Sequence, residues 1–255
     1  MVLTLKHFLI ACPLVFLAGY VDALAGGGGL ISLPAYLLAG LPTHFAIATN
    51  KMSSFMGTGL ATCRYARKGY IKGWIMLPFV GFAYLGSTLG ANCAVMLNEH
   101  TFRIILLIVL PLTAAFVLLK KDVLAAEERY GERKTCVIGS AVALVVGFYD
   151  GIYGPGAGTF MILLLTLLAH MTLERANGSA KLINLTTNVA ALTVYLINGK
   201  VLIPLGLAAG CFNMLGAYLG TKSFVRSKAG AAKPVMLIVL GIFLIKTILE
   251  LVGVM

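Results

Sequence analysis

The sequence predicts an all-α polytopic membrane protein made of two inverted repeats, each a glycine-broken re-entrant hairpin plus three transmembrane helices. Three observations lead there. The 255 residues are 60% hydrophobic and only 11% charged, with a mean hydropathy of +0.96, whereas a soluble domain carries roughly a quarter charged residues. The net charge of +11 is spread over short loops between apolar segments, the pattern of cytoplasmic loops rather than of a nucleic-acid surface. Finally, an acid, a glycine-rich break and a lysine occur in that order twice along the chain.

Residues 8–25 are apolar enough for a helix, and Gly26-Gly27-Gly28-Gly29 stops it, because glycine is unfavourable in a helix interior. The next apolar piece, 30–40, falls short of the roughly 20 residues that cross a bilayer. Thr43 is placed to cap a helix over 44–65. A basic loop with Arg64, Arg67, Lys68 and Lys72 precedes expected spans at 74–97 and 101–119. The charged stretch 120–134 reads as a solvated linker between a first membrane repeat, 1–119, and a second, 135–255. The second repeat keeps the order: an apolar segment at 136–151, a Gly/Pro break, a short piece at 159–169, then helices at 173–196, 201–224 and 234–252.

The two halves correspond residue by residue. Gly19, Asp22, Gly26 and Gly28 recur 128 positions later as Gly147, Asp150, Gly154 and Gly156. Lys51, Tyr65, Gly69, Gly86 and Gly90 recur 130 positions later as Lys181, Tyr195, Gly199, Gly216 and Gly220. If the basic loops at 64–72, 120–134 and 222–233 share the cytoplasmic side, each broken segment must enter and leave on one side. The halves are then inverted and both termini external, a common plan for secondary transporters.

The repeated motif carries the chemistry. A break in a buried helix leaves N–H and C=O groups unpaired, tolerated in a membrane only beside protein or a watery cavity. The helix that restarts there points its N–H groups and positive dipole end inward, which suits an anion. A lysine in mid-span costs about 2.5–3.5 kcal/mol to insert, so Lys51 and Lys181 need partners or a task. Lys51 shares a helix face with Ser54, Thr58 and Tyr65, and Lys181 shares one with Asn184, Asn188 and Tyr195; Asn50 extends the first lane. The candidate substrate-binding residues are therefore Gly26, Gly27, Gly28, Gly29, Asn50, Lys51, Ser54 and Thr58, with Gly156, Ala157, Gly158, Lys181, Asn184 and Asn188. Asp22 and Asp150 hold the lysines or carry a coupled proton.

Plainer readings compete. The four charges form two structural ion pairs, which by themselves prove nothing about function, or the glycines serve only close packing. For Gly86/Gly90 and Gly216/Gly220, spaced as GxxxG, packing is the better reading. Tyr65 and Tyr195 lie near helix ends, where interface anchoring is as good a reading as ligand contact. The histidines His7, His44, His100 and His170 have no metal spacing, and the five cysteines are scattered and read as small packing residues. No metal, cofactor or nucleic acid is expected. Nothing resembles a P-loop, which argues against ATP-driven pumping by this chain alone. The expected partners are the lipid bilayer and a small anion.

At these residues the chain resembles the TauE/SafE family of sulfite exporters and related anion permeases. The glycine-rich turn before Leu33-Pro34, with Ala48-Thr49-Asn50-Lys51, resembles the family's first-half motif. Residues 147–158, with Ala180-Lys181-Leu182-Ile183-Asn184, resemble the second half of a Thr-Asn-Lys-bearing branch. The resemblance implies a two-repeat bundle in the bacterial inner membrane and substrates such as sulfite, thiosulfate or sulfonates. The resulting expectation is a non-enzymatic secondary transporter working by alternating access. Its rivals are a passive anion channel and an intramembrane aspartyl protease using Asp22 and Asp150. The protease reading is weakened by the lack of a Gly-x-Gly-Asp element and by two lysines that would lower the raised carboxyl pKa such a dyad needs.

Overall fold

The computed structural model describes residues 3–71, 73–102, 104–105, 108–109, 112, 115 and 130–224. Among them every regular element is an α-helix: α1 (Leu5–Ala25), α2 (Gly29–Leu38), α3 (Thr43–Arg67), α4 (Met76–Met96), α5 (Glu132–Ile152), α6 (Ala157–Leu167), α7 (Leu173–Ile197) and α8 (Ile203–Ser223). The expected helix at 234–252, the basic cluster beyond 224, most of the linker and much of the span at 101–119 lie outside the described residues.

Local chemistry sets the ends of these helices. Gly26 adopts a left-handed conformation (φ 75°) and its N–H bonds the Asp22 carbonyl at 2.8 Å, which closes α1. Gly156, at φ 81°, opens α6. The Thr172 hydroxyl accepts from Arg175 N and caps α7, with Glu174 in its first turn, where a negative charge is favoured.

Five helices, α1, α4, α5, α7 and α8, are long and apolar enough to cross a membrane. At 1.5 Å per residue, the 21-residue α1 and α5 are each about 31 Å long, close to the roughly 30 Å of a hydrocarbon core. Each broken segment thus joins a full-length limb to a short one of 10 or 11 residues, α2 or α6.

The side chains are sorted as a membrane protein requires. Along α4, Leu77, Leu85, Leu89 and Met96 face outward while Gly86, Ser87 and Gly90 face inward. Lys51, Asn177, Lys181 and Thr187 are buried, because lipid offers polar groups no partner. Of the cysteines read as packing residues, Cys12 is buried, whereas Cys63, Cys93 and Cys211 are exposed.

The halves exchange partners. The first limb of each packs along the last described helix of the other, α1 on α8 and α5 on α4, with α3 and α7 between them. A Cβ at Gly86 or Gly90 would lie 2.3 or 2.1 Å from the carbonyl oxygens of Leu144 and Phe148 on α5. One at Gly216 or Gly220 would lie 2.0 or 2.5 Å from those of Phe16 and Tyr20 on α1. The two sets are equivalent under the repeat, and the backbones touch as GxxxG spacing predicts.

Thr43, a cap by sequence, is the first helical residue after Pro42 instead. Its N–H is taken by Glu99, from beyond α4, so the orphan donor finds its partner at long range. Glu99 also meets His44 Nδ1 at 2.7 Å, while His44 Nε2 lies 3.2 Å from the Ala94 carbonyl. Partial burial pushes the Glu99 carboxyl up, but the hydrogen bonds from His44 and Thr43 outweigh it and hold it below its ordinary value. A carboxyl with a depressed native pKa adds stability above its unfolded value and loses it as pH falls through the native value. Glu99→Gln should therefore lower Tm by a few degrees near neutral pH, and the gap should close below the ordinary value of 4.5. Thermal unfolding across that range checks this; a gap of constant size would contradict it.

Candidate functional site

Four charges meet inside the bundle. Asp22 sits one turn before the end of α1, and Asp150 lies in the last turn of α5. Lys51 and Lys181 lie on α3 and α7. The pairing crosses the halves: Lys51 Nζ is 2.9 Å from Asp150 Oδ1, and Lys181 Nζ is 2.7 Å from Asp22 Oδ2. Lys181 also donates to the Asp22 main-chain carbonyl. The lysine side chains are 2% and 0% exposed, so each depends on its carboxylate. Neither aspartate pairs with the other as a protease dyad would.

The two breaks touch. A Cβ at Gly26 would lie 2.4 Å from the Gly158 carbonyl carbon, and one at Gly158 would lie 2.6 Å from the Gly26 carbonyl oxygen. The Thr159 hydroxyl at the start of α6 donates to the Ala25 carbonyl at 2.8 Å, bridging the halves. Across the centre Asn188 Nδ2 donates to Thr58 Oγ1 at 3.3 Å. Thr58 and Asn188 are equivalent positions of the sequence repeat, so this bond joins the two halves at matching residues.

Beside this contact lies a cavity of about 40 Å³, where one water needs about 10–15 Å³ by a similar measure. From the first half, Asp22, Gly26, Gly28, Gly29, Asn50, Lys51, Ser54 and Thr58 line it. From the second, Asp150, Gly158, Asn184 and Asn188 do. Four sequence candidates sit elsewhere. Gly27 accepts from Leu30 N at the start of α2. Gly156 is the cap of α6, and Ala157 is buried in the core beside α5. Lys181 is covered behind Asp22. Tyr65 and Tyr195 are neither interface anchors nor cavity residues: both are fully buried. Their hydroxyls donate to the Ala23 and Gly151 carbonyls at 2.8 and 3.1 Å. These are again equivalent positions, and the bonds satisfy helix-end carbonyls.

The sequence reading missed Ala18, Ser32, Gly154 and Asn213, which also line the cavity. Asn213 is the informative one. It projects from the apolar helix α8 into space that exists because positions 19 and 57 are glycine. A Cβ at Gly57 would sit 1.7 Å from its Oδ1, and one at Gly19 2.9 Å from the same atom. In the other half Ala83 and Thr187 occupy the positions equivalent to Asn213 and Gly57. A lone amide in an apolar span was the available signal.

The arrangement gives two inward-facing helix starts, one lysine, two carboxylates, amides and hydroxyls around a small space. It suits a small polar solute. Among the described residues, no three His, Cys, Asp or Glu side chains converge as metal ligands.

Apolar helices broken around a buried polar cavity define a polytopic membrane protein. The chain belongs to the sulfite exporter TauE/SafE family, whose family model matches residues 11–247. It is 34% identical over 224 residues to the probable membrane transporter protein ORF9 of a Sinorhizobium species, covering 88% of this chain and 85% of that one. It is 33% identical over 227 residues to a probable membrane transporter protein of Haemophilus influenzae, covering 88% and 87%. It is 32% identical over 228 residues to the probable membrane transporter protein YfcA of Escherichia coli K12, covering 88% and 82%. No solved structure matches the chain.

If the contact between the breaks requires glycine, Gly26→Ala and Gly158→Ala should each destabilise by about 1–3 kcal/mol, the usual cost of overpacking. Gly81→Ala, in α4 with open space around it, should be neutral or stabilise by up to about 1 kcal/mol. Thermal unfolding in detergent compares them; equal effects at all three positions would count against a forced contact.

Proposed function

We propose that this chain is a secondary transporter that moves small, sulfur-containing anions such as sulfite, thiosulfate or sulfonates across the bacterial inner membrane by alternating access. One observation carries the reading: the two helix breaks meet at a buried polar cavity where Lys51 is held by a carboxylate of the opposite half. The family description supplies the substrate class, and relatives named probable membrane transporters supply the general activity. The cavity's small volume favours compact oxyanions. The first turns of α2 and α6 offer backbone donors, and Asn50, Asn184 and Asn213 add amides.

Opposite orientation of the halves follows from the same reading. Equivalent helices exchange partners about the Thr58–Asn188 bond, so a rocking motion that opens one side has a mirrored counterpart that opens the other. The glycine contact between the breaks is then the thin barrier between two vestibules.

Proteoliposome flux with sulfite, thiosulfate, sulfonates and carboxylates, with and without a pH gradient, tests the proposal. We expect concentrative movement of at least one sulfur oxyanion. Lys51→Ala should reduce it roughly tenfold to a hundredfold, the scale of losing one charged hydrogen bond; Lys51→Ala/Lys181→Ala is the inactive control. Flux that only runs down a gradient would support a channel instead, and no flux of any anion would overturn the assignment.

A further inference from the structure

The two ion pairs are equivalent by sequence but not by environment. Lys181 is fully enclosed and is bound twice, by the Asp22 carboxylate and its main-chain carbonyl. It does not line the cavity. Lys51 lines the cavity and has one partner among the described residues, Asp150 Oδ1, which leaves it N–H groups to spare there. Asp150 also lines the cavity, and its Oδ2 is buried with no hydrogen-bond partner among the described residues. A carboxylate oxygen in that position is an incomplete site. Asn184 Oδ1, in a residue that also lines the cavity, is a second buried acceptor without a donor among the described residues.

We propose that the pairs divide the work. Lys181–Asp22 is a fixed strut, and Lys51–Asp150 is the exchangeable pair, in which Asp150 takes up one proton as one monovalent anion replaces it at Lys51. The inference rests on the transport reading above and specifies the coupled ion and its carrier. The charge balance requires it. Two lysinium and two carboxylate groups sum to zero in the empty cavity. A monoanion alone would leave one uncompensated negative charge in a desolvated space, which is strongly unfavourable. A proton from solution bound at Asp150 Oδ2 restores neutrality: the Lys51–Asp150 ion pair, an anion and a proton become a Lys51–anion pair and a neutral carboxylic acid. The new O–H is a donor in a wall that has an unpaired acceptor, so the orphaned oxygen gains a function.

The titratable groups around Asp150 are few. Lys51 faces it from α3. Tyr195 of α7 binds the neighbouring Gly151 carbonyl. Asp22 of α1 shares the cavity and is itself neutralised by Lys181 of α7. On α4 the only such side chains are Tyr84 and Cys93, both exposed, and α6 has none. Among the described residues, Asp150 is therefore the acid whose only charged partner is the lysine that would receive the anion.

The test uses the purified full-length chain in weakly buffered detergent, titrated with methanesulfonate, a permanent monoanion that binds no proton itself. The parent chain should take up one proton per anion bound, and its anion affinity should fall tenfold per pH unit once Asp150 is ionised. Anion addition should also raise a protonated-carboxyl band in the infrared difference spectrum. Asp150→Asn should bind anion without proton uptake and without the band; Asp150→Glu should shift the band, which assigns it even if the asparagine variant does not fold. Asp22→Asn/Lys181→Met, which removes the strut as a neutral pair and leaves the charge balance unchanged, should still take up one proton with each anion that it binds. Proton uptake that survives in Asp150→Asn, a band that Asp150→Glu leaves unmoved, or uptake abolished in folded Asp22→Asn/Lys181→Met would overturn the division of labour and leave the transport reading standing. Failure of the parent chain to bind either methanesulfonate or thiosulfate would overturn the transport reading and this inference with it.

Discussion

A lysine in the middle of a membrane bundle must be neutralised or hydrated, and here each is neutralised by the opposite half of the chain. Lys51 depends on Asp150 and Lys181 on Asp22. Neither half can satisfy its own lysine, so the halves assemble around four charges that only their association balances. Most of the architecture answers to that demand. The acids sit at the ends of α1 and α5, where glycine breaks free the backbone. The lysines sit on the central helices α3 and α7, which carry the polar lanes.

The surrounding glycines make the geometry possible. Backbone contact along α4–α5 and α1–α8 brings the first limbs close enough for the breaks to meet. The breaks then pack against each other without side chains between them. A cavity made this way is small and walled largely by backbone and short polar side chains.

Much of this was legible in the sequence. Helix α3 runs over Thr43–Arg67 where periodicity and flanking signals gave 44–65, and α7 runs over Leu173–Ile197 where they gave 173–196. Apolar length and glycine are local signals, and local signals survive folding. The Asp–Lys pairings were harder, because each spans more than ninety residues and either assignment conserves charge. Tyr65 and Tyr195 were misplaced for a related reason: a helix-end tyrosine looks the same whether it faces lipid headgroups or a buried carbonyl. Thr43 lost its capping role to Glu99, a residue of another loop. Asn213 was hidden because the room for it comes from Gly19 and Gly57 on two other helices, and the repeat itself breaks down there.

The measurement that tests the central claim most directly is a double-mutant cycle across the halves, with Asp22→Asn, Lys181→Met and their combination compared by reversible unfolding. Removing one member of a buried pair costs about 3–5 kcal/mol, whereas removing both is often close to neutral. The structure predicts that each single variant is strongly destabilised and that the double variant recovers most of the loss. Losses that simply add would contradict it, because they would mean the two residues do not hold each other.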